Sequence, residues 1–313
     1  MVAASCGGTT DNPARPTTNA TTADTSEPTA TATAIAGARP SAGCETTGNR
    51  VTTTQPATPV EQTSIIEGVE RTYLLATPGG QDGAPAPVIV LLHGMGSTAA
   101  DINRVSDLPA RAAEAGMIVV TPQAVGTPTI WRPTAHGPDP ASLDQILDDL
   151  GRTHCIDKAR VHIAGFSVGA ALAAAYACAR QGDIASIITV TVEAPAGCAR
   201  PMPILSFHGT SDPVIAYGNH DPAAGAITGT EAHMANWAST AGCGATPTVT
   251  EVASEVTRLE WPDCTDGAEV VLYRIIGGGH DWPGPDPATA VGASTQPVSA
   301  TDEALEFVAR HRT

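Results

Sequence analysis

A doubly wound α/β fold, with a mostly parallel sheet and helices on both faces, is predicted by three features of the chain. Short runs rich in Val, Ile and Leu alternate with longer stretches of helical period. Many of the apolar runs end in glycine-rich turns. The residues able to do chemistry sit just beyond those ends, where sites on such sheets lie. The chain has 313 residues, of which 42% are hydrophobic, enough for one large domain and a tail.

The elements follow in order. Gly68 to Thr77 reads as an early strand, and Val88 to Leu92 (Val-Ile-Val-Leu-Leu) as a buried central one. Arg104 to Ala115 is predicted helical and Met117 to Thr121 the next strand. Leu143 to Leu150 places Leu143, Ile146, Leu147 and Leu150 on one helical face. Arg160 to Ala164 is a strand, and the Ala-rich stretch Ala170 to Arg180 a helix. Ile184 to Val192, Pro203 to Phe207 and Val270 to Ile276 supply three more strands. Glu231 to Thr240 and Asp302 to His311 read as helices. Strand–helix alternation of this kind makes parallel neighbours with right-handed crossovers.

Three zones are expected. Residues 1–7 look like the remnant of a lipoprotein signal, because Val2-Ala3-Ala4-Ser5 precede Cys6 as small residues precede a lipidated cysteine. Residues 8–60 are rich in Thr, Pro and Ala and too poor in large apolar groups to offset ordering entropy, so they read as a flexible linker. Residues 61–313 form the catalytic domain. There is no run of eighteen apolar residues, so a membrane partner is expected only through a lipid anchor at Cys6. The net charge of −16 disfavours nucleic acid as a partner. Seven cysteines are odd in number; with Cys6 lipidated, six are left for disulfides in an exported protein. The expected location is extracellular or at the cell envelope, and the expected state monomeric.

Gly165-Phe166-Ser167-Val168-Gly169 lies between a strand-like and a helix-like run. A serine on such a turn is the nucleophile elbow of α/β-hydrolases, and the flanking glycines leave room where side chains would strike strand and helix. The pattern by itself would arise by chance about 0.15 times in a chain of this composition. Its surroundings give it weight. Asp212 follows the strand ending at Phe207, and His280 follows the last strand within Gly277-Gly278-Gly279-His280-Asp281-Trp282-Pro283-Gly284. The order Ser167, Asp212, His280 is that of α/β-hydrolases. His93-Gly94-Met95-Gly96 ends the central strand, so the N–H groups of Met95 and Val168 are the candidate oxyanion hole. A serine hydroxyl needs a neutral imidazole to take its proton, and the imidazole needs a carboxylate to fix its tautomer. His93, Trp131 and Trp282 are candidate substrate contacts, with Trp237 a further aromatic to watch. The remaining histidines, among them His208, show no metal-ligand spacing and read as structural or exposed; no metal or cofactor is expected.

These motifs, with Phe207-His208-Gly209-Thr210-Ser211-Asp212, resemble the polyhydroxybutyrate depolymerase/feruloyl esterase family, which includes LpqC-type lipoproteins and is akin to carbohydrate esterase family 1. The resemblance runs from about Cys44 to the C-terminus. It implies an α/β-hydrolase that cleaves esters of hydroxy acids, or feruloyl and acetyl esters on polysaccharides. It also implies a Cys243–Cys264 disulfide. Spacing leaves the other connectivity open, with Cys178–Cys198 and Cys44–Cys155 as the guesses. The sequence departs from the family at Val168, where Asn or Ala is common, and over Gly218 to Gly229, both of which bear on substrate choice.

The expected function is therefore that of an exported serine esterase acting through an acyl-enzyme on an oligomeric or polysaccharide-linked ester. The alternatives are an envelope acyltransferase on the same triad and a non-catalytic envelope binding protein. The pH–rate profile of ester hydrolysis is expected to fall below about pH 6–7, where a histidine base takes up its proton.

Overall fold

The apolar run at 86–92 is buried along its whole length and splits by alternation between two cores. Val88, Val90 and Leu92 enter one; Ile89 and Leu91 enter the other. A strand buried on both faces belongs in the middle of a covered sheet. The computed structural model describes residues 37–46, 58–66, 68–79, 84–193, 197–218, 229–284, 291–294 and 297–313. Cys6, most of the linker and residues 219–228 of the segment that departs from the family lie outside them.

In chain order the elements are α1 (Gly43–Thr46), β1 (Val60–Ile66), β2 (Val69–Ala76), β3 (Ala86–Leu92), α2 (Ala99–Ser106), α3 (Leu108–Glu114), β4 (Ile118–Pro122), α4 (Pro138–Thr153) and β5 (Ile156–Phe166). There follow α5 (Val168–Ala179), β6 (Ser186–Val190), β7 (Ile204–Gly209), α6 (Thr230–Thr240), β8 (Thr248–Ala253), β9 (Val256–Trp261), β10 (Val270–Ile275) and α7 (Ala300–Arg310). The strands form one ten-stranded sheet in the order β1-β2-β4-β3-β5-β6-β7-β10-β9-β8. From β4 to β10 every neighbouring pair is parallel. The two edges are antiparallel, β1 with β2 on β4 and β9 with β8 on β10. Apolar side chains of α4, α5 and α6 pack into one core and those of α2, α3 and α7 into the other. This is the doubly wound α/β-hydrolase arrangement, with helices on both faces.

Two sequence expectations need correction. The helix expected over 104–115 is two helices, broken at Asp107, whose φ of 52° is left-handed and which caps the end of α2. Pro109 then opens α3, where a missing N–H does no harm. The strands β1, β8 and β9 escaped notice. β8 reads Thr-Val-Thr-Glu-Val-Ala and is exposed almost throughout, so it carries little apolar signal.

Residues 37–46, within the stretch read as linker, lie on the domain. Ser41 exchanges backbone and side-chain hydrogen bonds with His154 and Ile156, and Cys44 is bonded to Cys155. The Cys178–Cys198 and Cys243–Cys264 bonds complete the three pairings. Cys44 and Cys155 are 111 residues apart, so their bond restricts a long loop of the unfolded chain. Replacing both by serine is expected to lower the unfolding free energy by about 2–5 kcal/mol in urea titrations. An unchanged midpoint would show that the clamp adds no stability.

Candidate active site

β5 runs straight into α5, and Ser167 is the single residue between them. Its backbone sits at φ 56° and ψ −124°, a region that strains any residue with a Cβ. Hydrogen bonds hold it there: its N–H donates to the Val190 carbonyl at 3.0 Å, and its own carbonyl accepts from Ala170 N at 2.9 Å. The flanking glycines make the turn sterically feasible. A Cβ on Gly165 would lie 2.4 Å from the Gly169 carbonyl, and one on Gly169 would lie 2.5 Å from the Leu92 carbonyl oxygen. The turn thus wedges between β3 and α5 and aims Ser167 out of the sheet's C-terminal end.

Asp212 and His280 come from loops that follow β7 and β10, which are adjacent parallel strands. The loops touch closely: a Cβ on Gly209 would lie 2.2 Å from the Gly278 carbonyl oxygen. His280 Nδ1 donates to Asp212 Oδ2 at 2.8 Å, which leaves Nε2 to take a proton. Asp212 Oδ1 accepts from the N–H groups of Val214 and Ile215 at 2.7 and 2.8 Å. Burial would raise the Asp212 pKa, but hydrogen bonds from His208, His280 and the two amides outweigh it and hold the carboxyl at about 2. The His280 ring also lies against Phe166, with centroids 4.8 Å apart.

Ser167 and His280 line one cavity of about 450 Å³. Met95, Ile102, Val105, Phe166, Val214 and Val291 give it apolar walls, and Asp101 adds a carboxylate. Gly94 and Met95 form its edge beside Ser167. Among the described residues, neither the Met95 nor the Val168 N–H has a hydrogen-bond partner. Among the same residues no group of three His, Cys, Asp or Glu side chains is placed to hold a metal ion.

The candidate substrate contacts are corrected. His93, Trp131 and Trp282 are buried, and none lines the cavity. His93 Nε2 accepts from Ala124 N at 3.0 Å and Nδ1 donates to the Gly94 carbonyl at 2.7 Å. Burial keeps that imidazole below its ordinary pKa, so it is neutral. Trp131 Nε1 donates to the His93 carbonyl at 2.9 Å, and Trp282 Nε1 to Thr301 Oγ1 at 3.1 Å. His93 and Trp131 thus brace the loop that carries Met95, and Trp282 anchors the His280 loop to α7. Trp237 is buried too, its indole on the Glu193 carbonyl.

Two residues were missed. His208, read as structural or exposed, is buried against Asp212 and Glu193. Its Nδ1 lies 3.0 Å from both Glu193 carboxylate oxygens, and its Nε2 lies 3.0 Å from the Ile215 carbonyl. Burial pushes the His208 pKa down, but hydrogen bonds to Asp212 and Glu193 more than reverse that and raise it to about 10. Glu193 lies beyond the end of β6, and nothing in its neighbourhood in the sequence marked it.

The fold is that of esterases of known structure. The chain superposes on an acetyl xylan esterase from Aspergillus awamori with a TM-score of 0.59 at 15% identity, over 80% of this chain and 99% of that one. An S-formylglutathione hydrolase from Agrobacterium tumefaciens gives 0.53 at 13% identity, over 82% and 99%. No protein-family model matches the chain. Its sequence is 27% identical over 285 residues to "Putative esterase NocK" of Nocardia uniformis subsp. tsuyamanensis, covering 80% of this chain and 83% of that protein. It is 28% identical over 239 residues to feruloyl esterase C of Emericella nidulans, covering 71% and 82%. The fold is that of an α/β-hydrolase. With these relatives, the chain is a carboxylic ester hydrolase similar to the feruloyl esterases.

Two outcomes follow from the geometry. Gly169→Ala is expected to destabilise the protein by about 1–3 kcal/mol in chemical denaturation, because the carbonyls facing it are backbone and cannot step aside. An unaltered midpoint would contradict the wedge. His208 holds its proton more tightly in the folded chain than at its ordinary value of 6.5. It therefore adds stability below that pH and loses it as the pH climbs toward 10. Calorimetric melting temperatures should fall across that window, and His208→Gln should flatten the fall.

Proposed function

We propose that the chain is an exported serine esterase in which Ser167, His280 and Asp212 act as nucleophile, base and orienting acid. The observation that carries this is the Asp212–His280 hydrogen bond, whose imidazole lines the same cavity as the strained Ser167. Ser167 Oγ attacks the ester carbonyl while His280 Nε2 takes its proton. The Nδ1–H stays on Asp212, which stabilises the imidazolium without being protonated itself. The N–H groups of Met95 and Val168 hold the tetrahedral oxyanion. The imidazolium protonates the departing alcohol, leaving an acyl group on Ser167. Water, deprotonated by His280, then releases the acid. Export is supported by the three disulfides, which suit an oxidising compartment.

The acyl group enters the apolar cavity. That space exceeds an acetyl group, and Phe166 is the aromatic residue among its described walls. Trp131, Trp237 and Trp282 are committed to the core, so a cinnamoyl ring would rest on Phe166 and aliphatic side chains rather than between indoles. Acyl groups larger than acetyl fit this space: feruloyl, by analogy with the relatives, or a short hydroxy acid.

Two measurements test the reading. Ser167→Ala is expected to lower kcat on p-nitrophenyl butyrate by about 10⁴-fold or more with the fold intact by circular dichroism; retained activity would sink the assignment. Across p-nitrophenyl acetate, propionate and butyrate, kcat/KM should rise about fourfold per methylene, the factor for burying about 0.8 kcal/mol of apolar surface. A preference for acetate would exclude the larger acyl groups, and methyl ferulate against hydroxybutyrate oligomers then separates the two.

A further inference from the structure

We propose that His208 and Glu193 are positioning residues for the catalytic acid: His208 stands as an imidazolium, clamps the 212–215 turn and sets the net charge that His280 faces. This rests on the triad reading above. It starts from hydrogen-bond roles. His208 Nδ1 faces both oxygens of the Glu193 carboxylate, each at 3.0 Å, with the Thr230 hydroxyl at 2.9 Å. Nε2 faces the Ile215 carbonyl at 3.0 Å and Asp212 Oδ2 at 3.5 Å. Carboxylates and carbonyls only accept, so each ring nitrogen must donate. A neutral imidazole has one N–H and would point a lone pair at one of these oxygens. The Thr230 hydroxyl could donate to a bare Nδ1, but two carboxylate oxygens at 3.0 Å would still face that lone pair; the imidazolium satisfies the Glu193, Ile215 and Asp212 oxygens together. The raised proton affinity of His208 agrees with that geometry.

The clamp has two arms. Ile215 gives its N–H to Asp212 Oδ1 and its carbonyl to His208 Nε2, so the ring fixes the peptide that fixes the acid. The second arm is charge. Glu193 is buried, and beyond His208 it accepts from Ser206 Oγ at 2.8 Å. Its charge and that of His208 cancel, which leaves Asp212 as the net charge hydrogen-bonded to His280; Asp101, on the shared cavity wall, and buried Asp281, next in the chain, are the same in every variant compared. The other titratable groups near the ring do not upset this balance. Tyr217 packs edge-on at 5.5 Å with its hydroxyl on Glu231, and Glu231 is itself paired with Arg274.

The sign of the consequence is fixed. If His208 loses its charge while Glu193 keeps its own, one more uncompensated carboxylate stands behind Asp212 and His280. His280 then holds its proton to higher pH, and the acid limb of the rate profile moves up. If both charges are removed, the balance returns and the limb moves back.

The test is the pH dependence of kcat/KM on p-nitrophenyl butyrate for the wild type, His208→Gln and the double variant Glu193→Gln/His208→Gln, with Ser167→Ala as control. The acid limb of His208→Gln should lie about one pH unit above that of the wild type. The limb of the double variant should return to within a few tenths. A lower rate at every pH with an unmoved limb is what a merely structural residue gives, and would overturn the proposal while leaving the triad in place. Activity surviving in Ser167→Ala would overturn the triad and this proposal with it. Should the variants not fold, nitrogen-15 NMR of the wild type decides: both His208 ring nitrogens protonated at pH 8 supports the imidazolium, and a neutral tautomer at pH 7 overturns it.

Discussion

Ser167 occupies a backbone conformation that an amino acid with a side chain avoids, and it does so where a parallel strand ends and a helix begins. Strain of this kind costs on the order of 1–3 kcal/mol and persists only when its surroundings leave no alternative. Here the surroundings are β3 and α5, packed so tightly that Gly165 and Gly169 leave no space for even a methyl group. The central strand, its all-apolar sequence and its two cores therefore do more than stabilise the domain. They hold the turn from which Ser167 reaches a cavity beyond the C-terminal ends of the central strands.

The other groups of the site are held by the same principle of crossing loops over adjacent strand ends. β7 and β10 lie side by side, so Asp212 and His280 meet although 68 residues separate them. The acid is satisfied from every side: two amides, the His280 ring and the His208 ring. The chain carries a net charge of −16, yet the interior behind the site is close to balanced, with one histidine between two carboxylates. The hydrogen bonds to Asp212 hold its carboxyl well below the ordinary carboxylate range.

Much of this was legible in the sequence because the chemistry sits at punctuation marks. Gly-x-Ser-x-Gly, His93-Gly94 and Gly277-Gly278-Gly279-His280 each combine an apolar run with glycines that a close approach or, at Gly277, a left-handed backbone requires. What escaped was whatever depends on partners distant in sequence or on burial. Trp131 and Trp282 look like substrate contacts in a chain poor in aromatics, but both are core residues whose indoles brace loops. His208 adjoins the acid in sequence, yet its role depends on Glu193, which reaches it from a loop beyond β6. Asp107 breaks a helix through a left-handed backbone that no hydrophobic period reveals, and β8 is too exposed to leave an apolar pattern.

The most direct measurement is mass mapping of the folded protein after reaction with a fluorophosphonate. Modification should fall on the peptide containing Ser167 alone, proceed fastest above neutral pH, and be slowed by orders of magnitude in His280→Ala. A label on another residue, or undiminished labelling without the imidazole, would contradict a nucleophile at Ser167 activated by the His280–Asp212 pair.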